Sequence, residues 1–132
     1  MNDPLEEGER KLLNFGHTIG HAVEAYSLTH DQNPIRHGEA VAIGIICESY
    51  ISNHKNGLSA ADLKLVTDTI GSLYSFYQLD GSTYHELIEM MKNDKKNEGS
   101  AINFTLLSKI GSANYNQEVD VELILESLNY YN

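Results

Sequence analysis

Apolar residues along this chain recur mainly at helical intervals. From Leu12 to Tyr26 they recur at roughly helical spacing, as in a helix that buries one face. Residues 40–51 are almost wholly apolar, which predicts a helix buried on most sides. Residues 82–92 and 119–128 are also expected to be helical. The pattern therefore predicts a mainly α-helical protein.

Capping and turn-forming residues indicate where these helices begin and end. Asp3-Pro4 is typical of a helix start, and Asn56-Gly57 is expected to end the buried helix. Ser59, with an acid three residues later, predicts the cap of a further helix that Gly71 ends. Residues 29–36 and 93–99 are expected to form polar or charged loops, and the structure of residues 73–79 is ambiguous from the sequence.

One stretch near the end of the chain departs from the helical period. Residues 101–107 alternate partly between apolar and polar, as a strand does, and 110–115 are expected to pair with them across a turn centred on Lys109. A length of 132 residues suits a single hydrophobic core. We therefore predict one domain over residues 1–132, mainly α, with one small β-hairpin.

Composition and charge exclude several classes of partner. Nineteen acidic against nine basic residues give a formal net charge of −10, which argues against nucleic acid and anionic membranes. No apolar segment approaches the roughly 20 residues of a membrane span, and the polar start is unlike a secretory signal. Cys47 is the single cysteine, so an intrachain disulfide is excluded, and we expect it to be a core residue. These features predict a cytoplasmic protein.

Candidate chemistry is concentrated in the first 39 residues. His17 and His21 are four residues apart, the spacing by which one helical face presents two imidazoles to a metal ion. Pairs at this spacing also occur in helices without such a role. The two histidines belong to a polar stripe whose members are three or four residues apart: Glu6, Arg10, Asn14, His17, His21 and Glu24. If this stripe, which lies opposite the apolar face of the helix, is buried, we expect it to line a site.

Two further features of this region bear on the site. Gly16 and Gly20 each precede a histidine inside a helical pattern, where a glycine costs about 1 kcal/mol relative to alanine. Their positions predict the close approach of another backbone or of a ligand. His37 stands at the start of the buried helix, where it is either a solvated cap residue or a third imidazole of the kind that Zn²⁺ prefers.

The two histidine-containing segments resemble the 3-dehydroquinate synthase family. They read RKLLNFGHTIGHAVE over residues 10–24 and HGEAVAIG over residues 37–44. The later DKKN at residues 94–97, together with the apolar residues up to Ile110-Gly111, resembles that family's closing segment. The similarity covers essentially the whole chain. It implies the multi-helical C-terminal domain of the dehydroquinate synthase-like fold.

The resemblance also implies an activity and roles for individual residues. The family converts 3-deoxy-D-arabino-heptulosonate 7-phosphate into 3-dehydroquinate and phosphate, a step of the shikimate pathway, using NAD⁺ and Zn²⁺ or Co²⁺. The resemblance implies that His17 and His37 are metal ligands and that His21 is a proton acceptor rather than a ligand. Glu6 matches a second proton acceptor. The implied substrate-binding residues are Arg10, Asn14 and Lys95.

Part of the family's site has no counterpart in these 132 residues. The third metal ligand, a glutamate, and the NAD-binding loops lie in an N-terminal half of the family. Two histidines fall short of the usual three protein ligands of a catalytic zinc ion. We therefore expect the chain to be inactive alone. Its expected partners are a sugar-phosphate substrate, the N-terminal domain and, as in the family, a second copy in a homodimer.

Two other functions stay open at this point. A sister sugar-phosphate cyclase, making 2-deoxy-scyllo-inosose or 2-epi-5-epi-valiolone, shares the fold, the metal and NAD with this family. A freestanding metal-binding module without enzymatic activity is the second alternative. The set Glu6, Arg10, Asn14 and His21 argues against that module, because metal storage alone would not require it.

Overall fold

The structure, a computed structural model, describes residues 15–79, 81–93, 102–110 and 112–132, with only the backbone at 115 and 116. Within these ranges the chain forms a mainly helical domain with one β-hairpin, as the sequence predicts. The predicted helix start at Asp3-Pro4 and most of the predicted 93–99 loop lie outside the described residues. The elements, in chain order, are α1 (His17–His30), α2 (His37–Lys55), α3 (Ala60–Leu73), α4 (Gly81–Lys92), β1 (Ile102–Lys109), β2 (Ser112–Val119) and α5 (Val121–Tyr131).

Helix α2 is the centre of the domain. It contacts α1, α3, α5 and β1, and its residues Ile43, Cys47 and Ile51 are buried in the main core. This confirms the prediction of a buried helix and of a core thiol. Burial also raises the pKa of Cys47, so that the side chain stays a neutral thiol. Among the described residues, no helix has the length and apolar character needed to cross a membrane.

The two strands form an antiparallel hairpin with Ile102 opposite Val119. Ile102, Phe104 and Leu106 of β1 are buried in the main core. The strands extend beyond the predicted ends, so the turn lies near residue 110 and β2 continues to Val119 rather than to 115. The pairing is longer because continuing it joins backbone groups that would otherwise need other partners.

Several helix boundaries follow the sequence signals closely. Asn56 caps the end of α2, and Gly57 adopts a left-handed φ of +85°. Ser59 Oγ accepts the N–H of Asp62 at 3.1 Å, which confirms the predicted cap of α3. Gly71 does not end α3, which continues to Leu73, because one glycine costs too little to stop a helix.

The prediction of one continuous helix through Gly16 is wrong. Phe15 and Gly16 form a turn, Gly16 has a left-handed φ of +86°, and α1 starts only at His17. Helix α1 then runs to His30, two residues into the predicted 29–36 loop. The polar stripe from Glu6 to Glu24 is therefore not the face of a single straight helix.

Candidate functional site

The structure brings three histidines together at the starts of two helices. His17 is the first residue of α1, His21 lies one turn further, and His37 is the first residue of α2. The ring centroids are 5.1 Å apart for His17 and His21, 5.7 Å for His17 and His37, and 6.2 Å for His21 and His37. His17 is half-buried, whereas the other two are exposed. The cluster therefore opens to the surface.

Two of these rings are held through the Nδ1 atom. His17 Nδ1 lies 3.3 Å from the carbonyl oxygen of Phe15, and His37 Nδ1 lies 2.9 Å from Oε1 of Glu24. Both partners are hydrogen-bond acceptors, so a neutral ring must donate from Nδ1. The lone pair is then on Nε2, the atom that a neutral imidazole uses for metal binding in this tautomer.

The donor set fits part of a metal site. Imidazole nitrogens are ligands for Zn²⁺ and Co²⁺, and two rings on one tetrahedral ion would have centroids about 5 Å apart, given zinc–nitrogen bonds of about 2 Å. The ring spacing alone does not choose which two histidines would bind. Among the described residues, no three or more His, Cys, Asp or Glu side chains are grouped to hold a metal ion. At least one further ligand is therefore needed.

The loop that returns the chain to His37 is anchored by buried Ser27. Ser27 Oγ donates to the Asp31 carboxylate at 2.6 Å and accepts the Ile35 N–H at 2.9 Å. Tyr77 also donates its hydroxyl hydrogen to Asp31. The hydrogen bonds from Ser27 and Tyr77 hold the pKa of Asp31 below its usual value. Both ends of the loop are thereby fixed, which places His37 beside His17.

A buried carboxyl group determines where α1 begins. Glu48 of α2 is fully buried; its Oε1 accepts the Gly16 N–H and its Oε2 accepts the Ile19 N–H, both at 2.9 Å. No side chain of α1 caps this end. Burial raises the pKa of Glu48 to about 8, and the hydrogen bonds from the backbone of Ile19, Gly16 and Thr18 oppose that rise.

Three glycines allow α1 and α2 to cross at close range. A Cβ at Gly44 would collide with the carbonyl oxygen of Gly16, and one at Gly20 would lie 3.1 Å from the Cα of Val41. The predicted close approach of a second backbone is thus confirmed for Gly16 and Gly20. The crossing is what brings the starts of the two helices, and hence their histidines, side by side.

An open groove extends from the histidine cluster between α2 and the end of α3. His17 and His37 lie at this groove, whose other lining residues are Gly38, Val41, Ala42, Ile45, Ile70 and Tyr74. Ile70 and Tyr74 are more than 30 residues from His37, so the sequence offered no signal for them. Glu48 did carry a signal, as the single acid in the apolar run 40–51, but it was not among the predicted site residues.

Four predicted site residues lie outside the described residues: Glu6, Arg10, Asn14 and Lys95. Their roles stay predictions. The same holds for the assignment of His17 and His37 as ligands and of His21 as proton acceptor, since the structure gives their positions and not their chemistry.

Comparison with known proteins gives concordant results. Residues 1–97 match the family described as 3-dehydroquinate synthase C-terminal. The chain is 49% identical over 129 residues to the 3-dehydroquinate synthase of Parabacteroides distasonis, which covers 98% of this chain and 36% of that protein.

Two solved structures share the fold. A 2-deoxy-scyllo-inosose synthase complexed with carbaglucose-6-phosphate, NAD⁺ and Co²⁺ is 31% identical with a TM-score of 0.67, over 89% of this chain and 32% of that one. A 2-epi-5-epi-valiolone synthase from Streptomyces hygroscopicus with NAD⁺ and Zn²⁺ is 25% identical with a TM-score of 0.70, over 91% of this chain and 32% of that one. The chain therefore spans about a third of the length of these relatives.

Proposed function

Since this chain belongs to the family of 3-dehydroquinate synthase C-terminal domains, we propose that it is the metal- and substrate-binding domain of a 3-dehydroquinate synthase. The whole enzyme would convert 3-deoxy-D-arabino-heptulosonate 7-phosphate into 3-dehydroquinate and phosphate in the shikimate pathway. The observation that carries the proposal is the convergence of His17, His21 and His37 at the starts of α1 and α2. The identity of 49% to a 3-dehydroquinate synthase, against 31% and 25% for the two other cyclases, favours this substrate.

The proposal assigns metal binding to His17 and His37. Both rings are held through Nδ1, so each directs an Nε2 lone pair away from its backbone or carboxylate partner. When bound, Zn²⁺ or Co²⁺ supplies a Lewis acid that polarises a substrate oxygen. The third protein ligand and most of the NAD site would come from the N-terminal half of the enzyme.

Proton transfer and substrate binding are assigned to other residues of the polar stripe and to Lys95. His21 is exposed beside the two ligands, and a neutral imidazole exchanges protons readily near pH 7. Glu6 would be the second proton acceptor. Arg10 and Lys95 would bind the phosphate or carboxylate of the substrate through charge-assisted hydrogen bonds, with Asn14 contributing a neutral one.

The proposed setting follows from the same assignment. The enzyme would act in the cytoplasm, as a homodimer, and the chain without the N-terminal half would be inactive. Nucleic acid and membranes are not expected as partners, given the net charge of −10.

A chimera tests this function. The chain replaces the aligned C-terminal segment of the Parabacteroides distasonis relative, and phosphate release is measured with 3-deoxy-D-arabino-heptulosonate 7-phosphate in the presence of NAD⁺ and Co²⁺. We expect turnover by the chimera and none by the chain alone. Glucose 6-phosphate, whose carba analogue is bound in one related structure, serves as the competing substrate.

Two variants of the chimera test whether metal binding and activity depend on the histidine cluster or on a histidine elsewhere on the surface. His17→Ala should lose bound metal and activity together, whereas His54→Ala, at the far end of α2, should keep both. A His17→Ala chimera that retains metal and turnover would contradict the ligand assignment. Turnover of glucose 6-phosphate instead of the heptulosonate would assign the chain to a sister cyclase.

A further inference from the structure

Building on the metal site proposed above, we infer that Glu24 is a positioning residue that fixes the tautomer and direction of the His37 ring. Glu24 Oε1 lies 2.9 Å from His37 Nδ1. The two residues belong to different helices and are 13 positions apart. The contact therefore ties the ring at the start of α2 to the face of α1 that carries His17 and His21.

Among the described residues, little besides Glu24 holds the His37 ring. The side chain of His37 is 56% exposed, and it stands at the first position of α2, where packing by neighbouring turns is minimal. An exposed imidazole rotates and exchanges tautomers freely, which lowers the fraction of molecules with Nε2 directed at the cluster. A carboxylate that accepts from Nδ1–H removes both freedoms.

The chemistry of the contact is that of a metal-binding histidine. Such residues donate their second ring N–H to a carboxylate or to a backbone carbonyl, which fixes the tautomer and raises the basicity of the coordinating nitrogen. The partner of His17 is a backbone carbonyl, that of Phe15, and the partner of His37 is the carboxylate of Glu24. The Phe15 carbonyl cannot be removed by substitution, so Glu24 is the partner that can be tested.

A competing explanation makes Glu24 only a favourable charge. A carboxylate near the start of α2 stabilises the positive end of that helix whether or not it holds a ring. The two roles differ in their response to Glu24→Gln, because glutamine lacks the charge but keeps an oxygen that can accept from Nδ1–H, while its NH2 group can also donate to an unprotonated Nδ1. Positioning predicts that glutamine disturbs the His37 ring less than alanine does, and a charge effect predicts that the two substitutions disturb it equally.

Histidine tautomers in the metal-free chain provide the first readout. Long-range ¹H–¹⁵N NMR at a pH above the imidazole titration range distinguishes Nδ1–H from Nε2–H rings. We expect His37 to be Nδ1–H in the original chain, with an Nδ1–H fraction that is lower in Glu24→Gln and lower again in Glu24→Ala. Glu86→Ala is the matched control, since it removes the carboxylate 3.2 Å from His30, away from the cluster, and should leave His37 unchanged.

Co²⁺ binding, followed by paramagnetic broadening of the same histidine signals, provides the second readout. Glu24→Ala should weaken binding by about tenfold or more, with Glu24→Gln between Glu24→Ala and the original chain. A His37 tautomer that does not respond to Glu24→Ala would overturn the inference. In another outcome, the His37 tautomer responds to Glu24→Ala, but Co²⁺ binds neither to any variant nor to the original chain within the chimera. That result would overturn the proposed metal site and would still support the role of Glu24 on the ring.

Discussion

The Oε1 atom of Glu48 and the backbone nitrogen of Gly16 lie 2.9 Å apart, although 32 positions separate them along the chain. Gly16 has a left-handed backbone and directly precedes His17, the first residue of α1. Glu48 therefore does from a neighbouring helix what a capping side chain usually does from within the helix itself. The position of His17 consequently depends on α2, the helix that begins with His37.

Removal of this carboxylate should destabilise the domain. Glu48→Ala leaves the Gly16 and Ile19 N–H groups without their buried acceptor and opens a cavity, and we expect a loss of about 3 kcal/mol or more in the free energy of unfolding. Urea unfolding followed by circular dichroism measures it. Glu89→Ala, at an exposed position of α4, should change stability by about 0.5 kcal/mol at most. Equal stability of the two variants would contradict the capping role.

Glu48 should also make the stability depend on pH. Its pKa is raised to about 8 in the folded chain, so between about pH 4.5 and pH 8 the folded state binds more protons than the unfolded state, and stability falls as pH rises through this window. Glu48→Gln removes the titration. The original chain should therefore lose stability relative to Glu48→Gln as the pH rises from 5 to 8. A difference that is constant over this range would show that the burial of Glu48 does not raise its pKa.

The helix crossing provides a matched pair of glycine substitutions. Gly44→Ala places a Cβ against the carbonyl oxygen of Gly16, so α1 and α2 must separate, and we expect a loss of several kcal/mol in stability, at the upper end of single substitutions. Gly71→Ala has nothing within 4 Å of its added Cβ and lies in α3, so it should be neutral or stabilising by up to about 1 kcal/mol. Thermal unfolding of both variants compares them. A Gly44→Ala variant as stable as Gly71→Ala would exclude the close crossing.

The lysine pair tests the substrate-binding assignment in the chimera. If Lys95 binds the substrate as proposed, Lys95→Ala removes a charge-assisted hydrogen bond, and we expect a fall in kcat/KM of about tenfold to a hundredfold. Lys96→Ala should leave kcat/KM nearly unchanged, because we assign that residue no contact with the substrate. Steady-state phosphate release at varied substrate concentration measures both. If Lys96→Ala had the larger effect, the assignment within the pair would be reversed.

Much of the fold was predictable from local signals. The periods of three to four residues located the helices, the alternation after residue 101 located the hairpin, and the cap at Ser59 and the stop at Asn56-Gly57 are confirmed by the structure. These features depend on residues close together in sequence, and their local preferences agree with the tertiary packing. The segment between residues 10 and 44 was also enough to indicate the family, which the comparisons show.

The failures share one cause. The helix predicted through Gly16 is interrupted because Glu48, Gly44 and the backbone of α2 approach from a distant part of the chain. The partner of the His37 ring, the Ser27–Asp31–Tyr77 contacts that hold its loop and the far side of the groove also come from elsewhere. Periodicity in one segment contains no information about which other segment packs against it.

The order of residues was therefore enough to establish the helical character of the chain, its charge, its family and the set of residues that carry candidate chemistry. The packing of separate elements was needed to show that α1 begins at His17, that three imidazoles converge, that Glu24 contacts the His37 ring and that Glu48 accepts N–H groups at the start of α1. The physical reason is that a metal-binding or catalytic geometry depends on distances between side chains from separate elements. Those distances are set by how closely two helices can pack, here by three glycines and one buried glutamate.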